Sequence, residues 1–218
     1  MGWLQNQSSI CSGQIGVIGL SRGGELALQL GATYLKISAV IAASPSAYRY
    51  AGVRNNMPLP LPAWTLNNEA LPYLKPKFDA SGTFQFFWNW ITRRPNGNKA
   101  GFIKTLKDSA KTAAVRIPVE RIQEPIMLVS GGDDQLLPSF RFAEIVMKRL
   151  TCHHHPYNIH LHYKDAGHFP CFPYTLPYMP PNVMLSPGGG MTITFGGNDK
   201  ANTRAALDSW PKMLDFLK

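Results

Sequence analysis

The residues with the clearest capacity for chemistry lie in the stretch Gly19-Leu20-Ser21-Arg22-Gly23. A serine in the pattern G-x-S-x-G is typical of a nucleophile elbow, a sharp turn that joins a strand to a helix and presents the hydroxyl. The apolar run QIGVIGL precedes the serine, and GGELALQLGATYL, which is rich in helix formers, follows it. Ser21 is therefore a candidate nucleophile, and the backbone N–H of Arg22 is a candidate oxyanion donor. An ordinary strand-to-helix turn would show the same pattern.

Two carboxylates and a histidine follow in the order that a serine hydrolase needs. Asp133 and Asp134 come directly after the apolar run EPIMLVSGG, and His168 comes just after NIHLHY. A histidine can take the proton of a serine and pass it to a leaving group, while an aspartate fixes the imidazole tautomer. Ser, then Asp, then His is the chain order of α/β-hydrolases. Only one of the two carboxylates is needed, and the pattern leaves open which one.

Other reactive side chains have simpler explanations. The run His153 to His155 invites a metal site, but adjacent histidines at a helix end are better explained by solvation there, and no metal is predicted. His160 and His162 share one face of a predicted strand, which favours a structural role. Cys171 lies near His168 in sequence but lacks an elbow, so we discount it as a nucleophile.

The elements that must position these residues alternate along the chain. The predicted strands are the apolar runs QIGVIGL, ISAVIAASP, EPIMLVSGG and NIHLHY. The predicted helices are GGELALQLGATYL, SFRFAEIVMKRL with Ser139 as its N-cap, and KANTRAALDSWPKMLDFL with a bend or break at Pro211. This alternation predicts an α/β fold, a doubly wound parallel sheet formed by one domain over residues 1–218. The candidate residues all follow strands, where such sheets gather functional groups.

An irregular insertion, or lid, is predicted at about residues 54–110. Residues 54–77 are rich in proline and are predicted to be an irregular excursion. The aromatic run FQFFWNWI is either a helix covering the site or a strand in a small insertion. The segment KAGFIKTLKDSAK is predicted to be one amphipathic helix with Phe102, Ile103 and Leu106 inward. A second loop-rich region extends to about Gly197.

Composition excludes several classes of protein. The 218 residues suit one domain with a substantial core, and a net charge of +9 suits an anionic partner. The basic residues are scattered rather than clustered, which disfavours nucleic-acid binding. Three cysteines do not make a disulfide framework, and no apolar run reaches the length of a membrane span. Without a secretory signal the expected location is cytoplasmic, and no cofactor is expected.

Five stretches of the chain resemble one known family. The stretches IGVIGLSRGGELAL, RIPVERI, GGDD, AGH and FGGNDKANTRAALDSW are similar to the C-terminal catalytic domain of type I acyl-CoA thioesterases and bile acid-CoA:amino acid N-acyltransferases. The resemblance implies an α/β-hydrolase fold and a triad of Ser21, Asp134 and His168 that acts on acyl-CoA thioesters. It implies hydrolysis to free acid and CoA, because the amidating members have cysteine at the elbow. Arg22 stands where the family often has lysine.

The same resemblance implies strands before the elbow that this chain does not supply. The sheet would then lack its N-terminal strands, and we expect a second copy or a separate N-terminal segment to complete it. The alternatives to a thioesterase are a general serine esterase or peptidase of the same fold, an N-acyltransferase, and a truncated, inactive interaction domain.

Overall fold

The structure is a computed structural model that describes residues 2–10, 14–54, 57–77, 79–107, 109–173 and 192–218. The strands are β1 (Gly16–Leu20), β2 (Ala39–Ala43), β3 (Ala51–Arg54), β4 (Met57–Pro62), β5 (Thr65–Leu66), β6 (Glu69–Ala70), β7 (Ile126–Gly131) and β8 (Asn158–Tyr163). The α-helices are α1 (Gly2–Gln5), α2 (Arg22–Gly31), α3 (Ala80–Ile91), α4 (Lys99–Thr105), α5 (Ser109–Val115), α6 (Ser139–Cys152) and α7 (Asp199–Phe216). The predicted loop over residues 174–191 lies outside the described residues.

Four parallel strands form the main sheet, in the order β1-β2-β7-β8. The two inner strands, β2 and β7, are buried at every residue. Such strands read as continuous apolar runs because helices cover both of their faces. The predicted α/β fold with a parallel sheet is therefore confirmed, and the carboxyl ends of all four strands lie along one edge.

The core lies on both faces of this sheet. One cluster packs α2 and α6 against the sheet, with Leu28, Val40, Leu128, Phe142 and Leu150 among its fully buried members. The other packs α7 against the opposite face, with Ile41, Met127, Val129 and Met213. Helices on both faces make the sheet doubly wound, as the alternation of elements predicts. The last helix continues through Pro211 as one element.

Strand β1 lies at the edge of the described sheet, with β2 as its neighbour. An apolar run such as QIGVIGL is typical of a strand buried on both faces, but the observed strand is partly exposed. Ile18 is 39 % exposed, and Gly16 and Ile18 both face solvent. An edge strand presents backbone groups and side chains that an inner strand buries.

The insertion is more regular than its proline content predicts. Residues 54–77 are not an irregular excursion throughout, since the antiparallel hairpins β3–β4 and β5–β6 occupy much of this region. The aromatic run is a helix, α3, whose N-cap Asp79 accepts a hydrogen bond from the backbone N–H of Gly82. The following segment is not one amphipathic helix but two, α4 and α5. The first ends at Thr105, whose hydroxyl bonds Tyr50 and the carbonyl of Phe102 instead of facing solvent.

The N-cap prediction for α6 is also wrong. Pro138 holds the cap position, and Ser139 begins the helix with its hydroxyl directed to the carbonyl of Gly131.

His160 is structural, because Ser130 Oγ lies 2.8 Å from its Nε2. Burial and the neighbouring His162 lower the pKa of His160 to about 4, so its ring is neutral at physiological pH. None of the helices in the described ranges has the length and hydropathy of a bilayer span.

Candidate active site

Ser21 occupies the turn between β1 and α2 in a strained backbone conformation. Its φ is 58° and its ψ is −118°, a combination that residues other than glycine rarely adopt. Two backbone hydrogen bonds hold the turn: Ser21 N–H donates to the carbonyl of Ala43, and Glu25 N–H donates to the carbonyl of Ser21. A sharp, strained turn from strand to helix at Ser21 is what the G-x-S-x-G pattern predicts.

Glycines make this turn sterically accessible. A Cβ on Gly19 would lie 2.0 Å from the carbonyl oxygen of Gly23, and one on Gly24 would lie 2.8 Å from that of Ala43. A Cβ on Gly23 meets nothing within 4 Å outside its own helix. The close approach of helix to strand therefore depends on Gly19 and Gly24 rather than on the second glycine of the motif.

Asp134 and His168 form a buried pair at the same edge of the sheet. His168 Nδ1 lies 2.8 Å from Asp134 Oδ2, and both side chains are 1 % exposed. The other carboxylate oxygen, Oδ1, accepts from the backbone N–H groups of Leu136 and Leu137, each at 2.9 Å. With Oδ1 occupied by two donors, Oδ2 is oriented towards the imidazole.

The neighbouring carboxylate has a different environment. Asp133 is exposed, and its Oδ2 accepts from the backbone N–H of Gly197 while its Oδ1 accepts from Gln135 Nε2. It makes no contact with His168 among the described hydrogen bonds. The sequence pattern leaves the two aspartates equivalent, but the structure pairs Asp134 with the histidine and uses Asp133 to secure a loop.

The loop that carries His168 is held from three directions. Its backbone N–H donates to the carbonyl of Phe195, whose ring lies 5.8 Å from the imidazole. Asn202, near the start of α7, accepts from the backbone N–H of Gly167 at 2.8 Å. Ser44 Oγ donates to the carbonyl of His168 at 2.7 Å. Sequence reasoning did not single out Asn202 or Ser44, although Asn202 lies within the family-like stretch FGGNDKANTRAALDSW.

Ser21 and His168 each form a hydrogen bond with the same short segment at the end of β2. Ser21 bonds the backbone of Ala43, and His168 is bonded by the next residue, Ser44. No hydrogen bond within the described part of the chain joins the Ser21 hydroxyl to the imidazole. His168 Nε2 is buried without a hydrogen-bond partner there. The structure thus pairs Asp134 with His168 and places Ser21 at the carboxyl end of β1, which β2 separates from the strand that leads to Asp134.

A cavity of 760 Å³ opens beside Ser21 and Arg22. The insertion supplies most of its wall, and its apolar lining includes Tyr50, Val53, Leu59, Leu61, Trp64, Phe86, Phe87, Phe102, Leu136, Leu137 and Ile193. This size and composition are those of small-molecule sites in proteins. His168 is not among the lining residues.

A buried carboxylate ties the elbow helix to the insertion. Glu25, 2 % exposed, accepts from Trp64 Nε1 at 2.7 Å, from the backbone N–H of Tyr50 at 3.3 Å, and from Arg22 Nη1 at 2.8 Å. Burial raises the pKa of Glu25, opposed by the Arg22 guanidinium and the hydrogen bonds to the carboxylate. Because these donors belong to both α2 and the insertion, their shared acceptor fixes the cavity wall relative to Ser21.

The side chain of Arg22 completes this network. Besides Glu25, its guanidinium donates to the carbonyls of Tyr50 at 3.2 Å and Ala51 at 2.8 Å. Its backbone N–H is the first of α2, where helical N–H groups lack intrahelical partners. The backbone N–H of Arg22 is therefore a candidate oxyanion donor. Its planar guanidinium donates several hydrogen bonds at once, which the ammonium group of a lysine would not reproduce.

The other reactive side chains considered from the sequence do not have the properties of catalytic or metal-binding groups. Burial raises the pKa of the Cys171 thiol far above its ordinary value, which disfavours the thiolate that a nucleophile needs. His153 and His154 are exposed at the end of α6. In the described ranges, no group of three or more His, Cys, Asp or Glu side chains is placed to hold a metal ion.

Comparison with known proteins identifies the class. The family described as BAAT / Acyl-CoA thioester hydrolase C terminal matches residues 1–218, so the chain belongs to this family. Acyl-coenzyme A thioesterase 1 of Mus musculus is 27 % identical over 99 % of this chain and 46 % of its own. Acyl-coenzyme A thioesterase 6 of Homo sapiens is 27 % identical over 93 % of this chain and 43 % of its own. The chain thus spans a little under half the length of these curated relatives.

Solved structures show more distant similarity. An acylaminoacyl peptidase aligns with 77 % of this chain and 22 % of its own, at 11 % identity and a TM-score of 0.47. An esterase of Pyrococcus furiosus aligns with 74 % of this chain and 48 % of its own, at 20 % identity and a TM-score of 0.42. The α/β-hydrolase fold of the chain follows from the family match together with the strand order described above.

The Glu25 network makes a prediction about stability. Replacing Glu25 with alanine leaves Trp64 Nε1, the Tyr50 N–H and the Arg22 guanidinium without their acceptor, so we expect a loss of about 2 to 4 kcal/mol in the free energy of unfolding. Urea denaturation followed by circular dichroism measures it.

The control is Asp215→Ala, which removes an exposed ion pair with Lys218. Asp215 and Lys218 have the same i,i+3 spacing as Arg22 and Glu25. An exposed pair of this kind contributes about 0.5 kcal/mol or less. Equal losses in the two variants would contradict a structural role for the buried network.

Proposed function

We propose that this chain is a catalytic domain that hydrolyses acyl-CoA thioesters to free acid and CoA through an acyl-serine intermediate on Ser21. The observation that carries the proposal is the buried Asp134–His168 pair at the sheet edge that also bears the strained elbow of Ser21. Family membership supplies the substrate class. General ester or peptide hydrolysis by the same fold is the alternative that substrate assays must exclude.

In the proposed reaction Ser21 Oγ attacks the thioester carbonyl carbon as His168 Nε2 takes the hydroxyl proton. Asp134 holds the proton on Nδ1 and stabilises the imidazolium. The oxyanion that forms accepts a hydrogen bond from the backbone N–H of Arg22. The imidazolium then gives its proton to the sulfur as the C–S bond breaks and CoA leaves. A water molecule, deprotonated by His168, releases the acid and restores Ser21.

The cavity beside Ser21 supports an acyl group as the part of the substrate that it binds. Its wall is largely aliphatic and aromatic, which suits a hydrocarbon chain. Glu25 also lines the cavity, but its carboxylate already accepts hydrogen bonds from three donors and is not available to bind a polar group on the acyl chain. Arg22 is likewise engaged, so the CoA phosphates would need other basic residues of this +9 chain.

Two further proposals concern the setting of the domain. The sparse cysteines favour a reducing compartment, and we propose a cytoplasmic location. We also propose that another strand, from a second copy or a separate N-terminal segment, adds along β1, because this edge strand exposes Ile18.

The proposed reaction can be tested by determining whether water or an amine accepts the acyl group. Serine at the elbow favours water, so incubation with an acyl-CoA and excess glycine or taurine should yield mainly free acid. Chromatographic separation of acid and amide measures the ratio. Amide as the main product would overturn the thioesterase proposal in favour of acyl transfer, and faster hydrolysis of simple esters would favour a general esterase.

Matched aspartate variants test the triad. Asp134→Asn keeps the volume but places an N–H₂ against either the imidazole or two backbone N–H groups, and we expect kcat to fall by about 10⁴-fold. Asp133→Asn retains an oxygen for the Gly197 N–H and should change kcat less than about threefold. Steady-state release of CoA measures both.

Ser21→Ala supplies the second test of the triad. It should abolish labelling by a fluorophosphonate probe and lower kcat by about 10⁴-fold or more, with an unchanged circular dichroism spectrum. Full activity of this variant would refute the acyl-serine mechanism. A wild-type chain that the probe does not label would favour an inactive interaction domain.

The edge of the sheet makes a separate prediction. If another strand adds along β1, light scattering of the purified chain should report more than one copy, or the isolated chain should be poorly soluble and inactive. A stable, fully active monomer would show that the edge needs no partner.

A further inference from the structure

Helix α3 turns an apolar stripe towards solvent. Phe84, Phe87, Trp88 and Ile91 follow the spacing i, i+3, i+4, i+7, which places them on one face of a helix. In most surface helices such a stripe is the buried face, yet here these side chains are 68, 49, 48 and 73 % exposed. None of the twelve residues of α3 is buried. The helix thus presents to solvent the face that a globular protein normally covers.

The exposed stripe is continuous with the cavity beside Ser21. Phe87 belongs to both, since it is half-exposed and also lines the cavity. Across the cavity, Val53 on β3 and Leu61 on β4 line the wall and are 52 and 57 % exposed. The inner side of α3 contributes Phe86 to the same wall. Exposed apolar side chains from α3, β3 and β4 therefore line the mouth of the cavity and form its rim.

The charge around this rim is mainly positive, although Asp79, the N-cap of α3, pairs with Lys104, and the buried Glu25 lies in the cavity wall. Residues 80–107 contain no Asp or Glu, and they carry five basic residues: Arg93, Arg94, Lys99, Lys104 and Lys107. Arg93 and Arg94 directly follow α3 and are exposed, as is Arg54 at the end of β3. The whole chain has a net charge of +9. An occupant of this surface must therefore be apolar at its centre and anionic at its border.

We propose that α3, together with the exposed side chains of Val53 on β3 and Leu61 on β4, docks on an anionic lipid–water surface, with the mouth of the cavity facing the lipid. Tryptophan and phenylalanine on one face of a helix, with arginines beside it, are the features of helices that lie in the plane of such an interface. Phosphate headgroups would meet Arg93 and Arg94, and the aromatic rings would enter the acyl boundary. Amphiphilic substrates would then reach the cavity without crossing water.

Vesicle binding by the full chain tests the proposal. Sedimentation with vesicles of phosphatidylcholine containing about one-quarter phosphatidylserine should capture the chain at physiological salt, and pure phosphatidylcholine should capture less. The double variant Phe84→Ser/Trp88→Ser should reduce the partition coefficient about tenfold or more. Neither residue lines the cavity, so the rate of hydrolysis of a dispersed short-chain acyl-CoA should be unchanged.

The matched control replaces two equally exposed apolar residues elsewhere. Trp3 on α1 and Leu207 on α7 are 72 and 51 % exposed, and Trp3→Ser/Leu207→Ser should bind vesicles as the wild type does. Arg93→Gln/Arg94→Gln should lose most of the preference for anionic vesicles. Circular dichroism of every variant shows whether the helical content is retained.

Three results would overturn the proposal. One is the absence of binding to anionic vesicles. Another is binding that survives Phe84→Ser/Trp88→Ser and disappears at high salt, which would mean that net charge alone attracts the chain. The third is a wild-type oligomer that this variant converts to monomer without any change in vesicle binding, which would identify the stripe as an interface between copies.

Discussion

The strained backbone at Ser21 is the constraint on which the rest of the site depends. A non-glycine residue with φ of 58° and ψ of −118° costs about 1 to 3 kcal/mol, so it persists only where surrounding structure enforces it. Here β2 supplies the acceptor for the Ser21 N–H, and Gly19 and Gly24 let the helix approach. Because Gly19 and Gly24 have no side chains, α2 packs closely against the ends of β1 and β2. Because α2 packs in this way, the Glu25 carboxylate is buried and requires hydrogen-bond donors.

Those donors are Arg22 on α2, the backbone N–H of Tyr50 just before the insertion, and Trp64 within it, so Glu25 ties the proline-rich segment to α2. A buried carboxylate without partners is costly, whereas one with three donors is tolerated. Trp64 and the Tyr50 N–H therefore fix the insertion to α2 by satisfying Glu25. Arg22 adds bonds to two carbonyls of the same segment. The strain at the elbow and the wall of the cavity are thus parts of one network.

The sequence predicts those parts of this arrangement that are local. Apolar runs predict the four parallel strands, and the G-x-S-x-G pattern predicts the strained turn at Ser21, because both depend on neighbours in the chain. The partner of His168 could not be chosen from Asp133 and Asp134 by pattern, since the distinction comes from the backbone N–H groups of Leu136 and Leu137. Thr105, the last residue of α4, forms a hydrogen bond with Tyr50, a partner 55 positions away that local sequence does not predict. The carbonyls that accept from the Arg22 guanidinium lie 28 and 29 residues away, so the role of an arginine at this position is not visible in the local sequence.

The two sides of α3 show why sequence patterns alone do not predict which surface is buried. Its inner side contributes Phe86 to the cavity, while its outer stripe follows the spacing of a core helix and is nevertheless exposed. Periodicity reports that an apolar face exists, but only the positions of the other elements decide whether protein, lipid or water meets it. Because the same helix forms the cavity wall and the exposed rim, any partner that covers the rim also changes access to Ser21. If the proposed function and the proposed lipid surface are both correct, α3 couples substrate entry to surface binding.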